Sequence, residues 1–336
     1  MAKLSLDVQV ERLPYKAAFR ISGYVFDGVN CVIATLSDGT HRGRGEANGI
    51  YYMGDDVPHM LAALEHARAD IEAGADRAAL REIMPAGGAR NAVDAALWEL
   101  EAQRSGLPVW KLAGLPEAKP VVTTFTLGAD DPALMAASAV AFGPVKAIKI
   151  KLTGDLDLDI ARVRAVRAAR PDVWLGVDGN QGFKIADLDA LAAAMVTEKV
   201  SLIEQPLARG READLDGYRS PVPIAADESA LTLADVPGLE GRFQVVNIKL
   251  DKCGGLTEGL MIARAARDIG LDVMVGNMGG SSLSMAPSLV LGQLCDICDL
   301  YGPIFLKEDR NPGIVYQDGT AWCDERVWGA ESRVAA

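Results

Sequence analysis

The stretch Ala147-Ile148-Lys149-Ile150-Lys151-Leu152 decides the fold, and it also raises the question of function. It is short, apolar and β-branched, with two lysines at alternate positions. A strand of this kind presents Ile148, Ile150 and Leu152 on one face and Lys149 and Lys151 on the other. Similar runs recur on either side of it: VTTFTL (122–127), VWLGVD (173–178), LIEQP (202–206), PIAADE (223–228), QVVNIKL (244–250), DVMVGN (272–277) and DLYGPI (299–304). Their centres lie roughly 21 to 29 residues apart. Amphipathic segments separate most of them, as at 157–170, 185–198 and 257–269. Strands alternating with helices predict a parallel sheet, and eight in one run predict a closed (β/α)8-type barrel. A doubly wound sheet needs a switch point and fewer strands, and no G-x-G-x-x-G follows the first strand.

The segment ahead of the barrel reads differently. Residues 4–13 and 30–37 read as strands, and Ser37-Asp38-Gly39 as a turn. Residues 57–73 and 89–104 carry helical spacing, with Ala92, Ala95, Ala96, Leu97, Trp98 and Leu100 forming a broad packed face. The expected organisation is an α+β capping domain over 1–118, a barrel over 119–305, and a final segment, 306–336, returning to the cap. Two Gly-containing loops, 19–28 and 49–56, are expected to act as lids.

The chain has 336 residues, 49% hydrophobic and 24% charged, enough for a sizeable core. Its net charge of −12 argues against a nucleic-acid or anionic-membrane binder, which would need basic stripes. No stretch approaches the ~18 apolar residues of a membrane span. Asp7, Glu11 and Arg12 interrupt the place of a signal-peptide core, so no export is expected. Five cysteines, with Cys295-x-x-Cys298 as a lone pair, fit packing roles in a reduced cytosol. All three histidines, His41, His59 and His66, fall before the barrel, so barrel chemistry must run without histidine.

In such a barrel the active site lies at the C-terminal ends of the strands. If Ile148 and Ile150 meet the helices, Lys149 and Lys151 point into the mouth. Two adjacent ammonium groups lower each other's pKa, and a lysine tuned toward neutrality can act as a base. A solvated edge strand is the plainer alternative. Asp178, Glu204 and Asp227 stand at the ends of the next three strands. Three converging carboxylates need a cation, and hard oxygen ligands suit Mg²⁺. Lys249 faces the mouth from the far side. This arrangement suits removal of a proton α to a carboxylate. The cation stabilises the enediolate, one lysine takes the proton and the other returns it.

These motifs carry a resemblance. Lys149-x-Lys151, Asp178-Gly-Asn180, Glu204-Gln-Pro206, Asp227-Glu228-Ser229, and Asn247-Ile-Lys249 running into Lys252-Cys-Gly254-Gly255 resemble the enolase superfamily, in its muconate-lactonizing subgroup. The segment from Ala92 to Leu100 resembles that family's helix before the barrel. The resemblance implies an α+β cap on a modified (β/α)7β TIM-type barrel. It implies Asp178, Glu204 and Asp227 as Mg²⁺ ligands and Lys151 and Lys249 as the acid/base pair. Lys149 would tune Lys151 and help hold a substrate carboxylate, with Asn180 and Glu228 beside the metal ligands. The missing late histidine sets aside the mandelate-racemase-like and sugar-acid-dehydratase-like branches.

Within the lysine–lysine branch the chain most resembles the dipeptide epimerases. Those carry Asp-x-Asp on the last strand to hold the dipeptide's ammonium, where this chain has Asp299-Leu300-Tyr301. One carboxylate can still pair an ammonium, whereas a tyrosine offers only a neutral hydrogen bond or a stacking face. The expected function is therefore dipeptide epimerisation. N-acylamino acid racemisation is the first alternative, with muconate-type cycloisomerisation and o-succinylbenzoate synthesis behind it. Thr124, Asp299 and Tyr301 in the barrel, and Arg20, Tyr24 and Tyr51 in the cap loops, are the remaining substrate-binding candidates. The expected partner is a small molecule, and a homo-oligomer is expected by analogy with the family.

Overall fold

The computed structural model describes residues 3–21 and 24–330, the side chains of 20 and 21 excepted. The chain opens with an antiparallel sheet of β1 (Ser5–Ile21), β2 (Tyr24–Ser37) and β3 (Arg42–Ala47). The loop expected at 19–28 is instead the end of a long hairpin, in which Phe19 pairs with Phe26 and Arg20 with Val25. Pro14, which has no N–H to give a ladder, marks a register shift between Pro14 and Phe19. The strands resume beyond it, and the outer half of the hairpin extends past the cap's own core. The second expected loop holds a single 3₁₀ turn, Tyr51–Met53.

Helices α1 (Val57–Glu72), α2 (Arg77–Ile83), α3 (Gly88–Ser105) and α4 (Val109–Leu112) follow. Asp56 and Asp76 cap the first two, accepting from His59 N and Ala79 N. Helix α3 is buried almost all round because β3 lies flush against it. A Cβ at Gly43 or Gly45 would sit 2.0 or 2.1 Å from Ala96 O or Ala92 O.

The short β4 (Val121–Val122) leads into the barrel. Its strands are β5 (Thr124–Leu127), β6 (Ala147–Lys151), β7 (Trp174–Asp178), β8 (Leu202–Glu204), β9 (Ile224–Ala226), β10 (Val245–Ile248), β11 (Asp272–Val275) and β12 (Ile297–Cys298). They form one parallel sheet in sequential order from β5 to β12. Interleaved with them are α5 (Pro132–Ala141), α6 (Leu156–Ala169), α7 (Leu188–Thr197), α8 (Leu250–Cys253), α9 (Leu256–Asp268) and α10 (Ser282–Gly292), and α11 (Gly302–Phe305) follows the last strand. β13 (Val315–Gln317) and β14 (Thr320–Trp322) return to pair with β4. The eighth strand was expected at 299–304. It ends earlier, because Gly302 and Pro303 start a helical turn for which proline's fixed φ is suited. Side chains bridge the seam between β12 and β5: Thr123 Oγ1 accepts from Leu300 N at 2.8 Å, and Thr124 Oγ1 donates to Asp299 at 2.6 Å.

The alternation read from β6 holds. Ile148 and Ile150 pack in the main core with Leu175 and Val177, while Lys149 and Lys151 point inward. Leu202, Ala225, Val245 and Met274 form a separate apolar cluster, with Trp174 and Ile297 packed against it. Trp174, Leu202, Val245 and Ile297 start their strands, so the cluster plugs the barrel floor and confines polar groups to the other end. The last segment packs on the cap: Trp328 Nε1 donates to Arg44 O at 3.0 Å, and Arg310 pairs with the buried Glu46 at 2.9 Å. Among the described residues no helix is long and apolar enough to cross a membrane.

Candidate active site

The strand ends bring Asp178, Glu204 and Asp227 together. All three are buried, and each offers an oxygen within 4.8 Å of the others. Local backbone fixes them there. Asn180, Gln181 and Gln205, which follow the first two acids, hold positive φ of 41°, 65° and 33°. Non-glycine residues in this region cost about 1 kcal/mol or more each, a strain common where side chains must be aimed. Gln205 ties neighbouring strand ends together, its Oε1 accepting from Asp227 N at 2.9 Å and Ser229 N at 3.1 Å. Asn247 Nδ2 donates to Glu204 Oε1 at 2.8 Å, and Asn180 N to Asp178 Oδ1 at 2.9 Å.

Four lysines meet these acids. Lys151 Nζ lies 2.5 Å from Asp178 Oδ2, and Lys249 Nζ 2.5 Å from Asp227 Oδ2. Lys149 Nζ is 3.1 Å from Glu204 Oε2, 3.7 Å from Asp178 Oδ2, and hydrogen-bonded to Asp299. Lys252, given no role in the sequence reading, is fully buried. Its three N–H donors are spent on Asp227 O, Asp227 Oδ1 and Asn247 O. Its three-residue offset from Lys249 was the available signal, since one turn of helix puts both ammonium groups on one carboxylate.

The electrostatics differ from expectation in one respect. Burial favours a lower pKa for Lys149, but Asp299, Glu204 and Asp178 outweigh it and hold the ammonium above its usual range. Neighbouring carboxylates, not the neighbouring lysine, therefore set the charge of Lys149. Burial works against the charge of Asp227 too, yet Lys249 and Lys252 keep it ionised. Burial and the charge of Asp178 push Glu204 up to about 7. Glu228 is pushed up to about 8 by burial, Asp227 and Asp178.

The donor set fits a hard divalent cation: three buried carboxylates, two of them strand-terminal and the third one residue beyond its strand. Glu228 Oε2, Asn180 Oδ1 and Asn247 Oδ1, buried beside them, have no hydrogen-bond partner among the described residues. Buried polar atoms of that kind mark a place built for a further group.

The site opens on a cavity of about 450 Å³ between barrel mouth and cap. Lys149, Lys151, Lys249, Asn180, Asp227, Glu228, Asp299 and Tyr301 line it from the barrel. Tyr15, Phe19, Phe26, Tyr51 and Tyr52 close it from the cap. Of the cap candidates, Tyr51 reaches the cavity. Tyr24 lies outside its wall, half exposed, with its ring 4.7 Å from that of Tyr51. The side chain of Arg20 lies outside the described residues. Thr124 does not face the cavity but supports Asp299, as does Thr126 at 3.3 Å. Asp299 is thus already engaged by Lys149 and two threonines. Tyr301 is buried with its ring 4.7 Å from Phe305 and 4.8 Å from Phe125, and its hydroxyl is 3.4 Å from Thr126 O. Asn247, Gln205 and the apolar pair Phe19 and Phe305 carry no site role in the sequence reading.

Known proteins resemble the chain along most of its length. Residues 28–114 match the mandelate racemase/muconate lactonizing enzyme N-terminal domain, and residues 133–320 the enolase C-terminal domain-like family. The chain is 34% identical over 311 residues to an L-Ala-D/L-Glu epimerase of Escherichia coli, covering 92% of this chain and 96% of that one. It is 41% identical over 239 residues to an N-acetyl-D-glutamate racemase of a Pseudoalteromonas species, covering 70% and 74%. An enolase family member from Agrobacterium tumefaciens with homology to dipeptide epimerases, solved with sodium and L-Ala-L-Glu, superposes with a TM-score of 0.91 at 38% identity, over 97% of this chain and all of that one. Sequence, fold and relatives agree: this chain belongs to the enolase superfamily.

Proposed function

We propose that the chain is a metal-dependent epimerase of dipeptides, inverting the carbon α to the carboxylate through an enediolate. The relatives are racemases and epimerases, and the chain is an isomerase of that kind. The observation that carries the proposal is the placement of Lys151 and Lys249. One ends β6 and the other follows β10, four places apart in the eight-stranded order, and both open on one cavity beside one acidic triad.

Mg²⁺ at Asp178, Glu204 and Asp227 would neutralise the substrate carboxylate and offset the negative charge that grows on it as the α-proton leaves. The two lysines do the proton transfer. One must be the neutral amine and the other the ammonium, so that a proton taken from one face is replaced at the other. Lys149, held cationic by Asp299 and Glu204, pairs with the substrate carboxylate. Tyr51, Tyr52 and Phe19 cover the site and keep bulk water away. In this reading residues 1–118 form the cap that selects the substrate and 119–305 the barrel that turns it over. The five free thiols suit a cytoplasmic setting.

One observation favours a second reading, N-acylamino acid racemisation. A dipeptide and an N-acylamino acid share the acylated nitrogen and differ in a free ammonium. Asp299 is engaged by Lys149, Thr124 and Thr126, and an uncharged, buried Tyr301 stands where a second acid would hold that ammonium.

The test is mass-spectrometric deuterium uptake at the α-carbon in deuterated water, with purified protein, Mg²⁺, and separate pools of L,L-dipeptides and N-acylamino acids. Uptake into dipeptides supports the first reading, and uptake into N-acylamino acids alone supports the second. No uptake in either pool contradicts both.

A further inference from the structure

We propose that Arg90, on cap helix α3, is a positioning residue for Lys249, holding the helical turn on which that lysine is mounted. The inference rests on the two-lysine reading above. Lys249 immediately precedes α8, and its carbonyl accepts from Lys252 N at 2.9 Å and Cys253 N at 3.1 Å. The last carbonyls of so short a helix have no partner further along it. Arg90 supplies one: its Nη2 lies 2.5 Å from Cys253 O and its Nε 3.2 Å from Gly254 O. The same Nη2 pairs with Glu258 Oε2 of α9 at 2.6 Å, while Nη1 reaches back to Met84 O in the cap at 3.2 Å. The side chain is buried.

One turn along α3, Asp94 Oδ2 accepts from Thr257 N at 3.0 Å, so the same helix face also grips the start of α9. The turn between them is pressed directly on this face. Gly254 and Gly255 hold φ of +76° and +124°, and a Cβ would sit 2.2 Å from Arg90 Nε at the first and 2.4 Å from Asp94 Oδ2 at the second. Arg90 does not line the cavity. It acts on the chemistry through the backbone of 249–254, which mounts Lys249 at its start and also carries Lys252, anchored on Asp227 and Asn247. Lys151 is mounted on β6, across the barrel, and among the described residues no hydrogen bond joins it to this clamp. Loosening the clamp should therefore impair proton transfer more on the Lys249 face than on the Lys151 face. Misplacement by ~1 Å costs on the order of 100-fold in such a step.

The experiment measures α-deuterium uptake separately from the L,L and L,D forms of Ala-Glu, and from N-acetyl-L- and N-acetyl-D-glutamate, with Mg²⁺. Arg90→Lys keeps the charge but loses the planar fork. Glu258→Gln is the milder variant, removing the anionic anchor that Arg90 shares with Arg81. Lys249→Ala in the same assay identifies which stereoisomer depends on Lys249. Arg90→Lys is expected to lower uptake from that stereoisomer about 10- to 100-fold and from the other less than about 3-fold, with a smaller skew of the same sign in Glu258→Gln. Equal losses from both stereoisomers, or no skew in either variant, overturn the role of Arg90. If Lys249→Ala itself leaves both stereoisomers exchanging alike, or the wild type exchanges neither pair, the two-lysine reading fails instead.

Discussion

Replacing Tyr301 by Asp restores the second acid that dipeptide epimerases carry, and the structure sets what that change costs and gains. The Tyr301 ring is buried against Phe125 and Phe305. Removing a buried aromatic side chain costs about 3–5 kcal/mol. Burial and the charge of Asp299 already push the Tyr301 phenol up, so a new anion at 301 is disfavoured by the same two causes. At roughly 2–4 °C per kcal/mol, Tyr301→Asp should lower the melting temperature by about 6–20 °C. Tyr301→Phe is the control: its hydroxyl contact of 3.4 Å is long, and losing it should cost under about 1 kcal/mol. A substrate ammonium would offset the new charge. A charge-assisted bond of about 1.5–3 kcal/mol shifts the ratio of kcat/KM for Ala-Glu over N-acetylglutamate upward by about 10- to 100-fold. Differential scanning fluorimetry and steady-state kinetics read the two effects. An unchanged melting temperature would refute the packing of Tyr301. A ratio that stays level or moves toward N-acetylglutamate would refute its place beside the substrate nitrogen.

Two further outcomes follow from named contacts. Asp227→Asn removes one of three clustered carboxylates, and titration calorimetry should show Mg²⁺ affinity weakened by at least the roughly 10- to 100-fold typical of outer partners; unchanged affinity would remove Asp227 from the ligand set. Asp94 is pushed up to about 6, chiefly by burial, above its unfolded value of about 3.9. The folded state therefore holds the extra proton: the associated stability is full below about pH 4 and is lost as pH rises through 6. Asp94→Asn carries no charge, so its stability relative to wild type should improve by about 1 kcal/mol between pH 5 and pH 7; a difference that does not vary with pH in melting curves would contradict the buried ionisation.

The parts of the fold legible in the sequence were those with local periodicity. Ile148 and Ile150 alternate with Lys149 and Lys151, and two residues per repeat is enough to assign a face. Asp178 and Glu204 end their strands, and Asp227 and Lys249 sit one residue beyond theirs, so short apolar runs located all four. What escaped depended on distant partners. Around 19–28, Pro14, Gly23 and Gly28 look like breakers, and only the cross-strand pairing of Phe19 with Phe26 makes the segment a hairpin. The last strand lies ahead of the run 299–304, because Gly302 and Pro303 within that run begin a helical turn. The engagement of Asp299 by Lys149 joins residues 150 apart, so no local pattern could announce it. Arg90 was hidden for a similar reason: it acts on the carbonyls of Cys253 and Gly254 and on the carboxylate of Glu258, brought near only by the packing of cap on barrel.

The most direct test of the two-lysine account is α-deuterium uptake from each stereoisomer of a turned-over substrate by wild type, Lys151→Ala and Lys249→Ala. The account predicts that wild type exchanges and interconverts both forms. Each variant should lose interconversion, and any exchange left to it should come from one stereoisomer, the opposite one in the two variants. Full interconversion by either variant would contradict it.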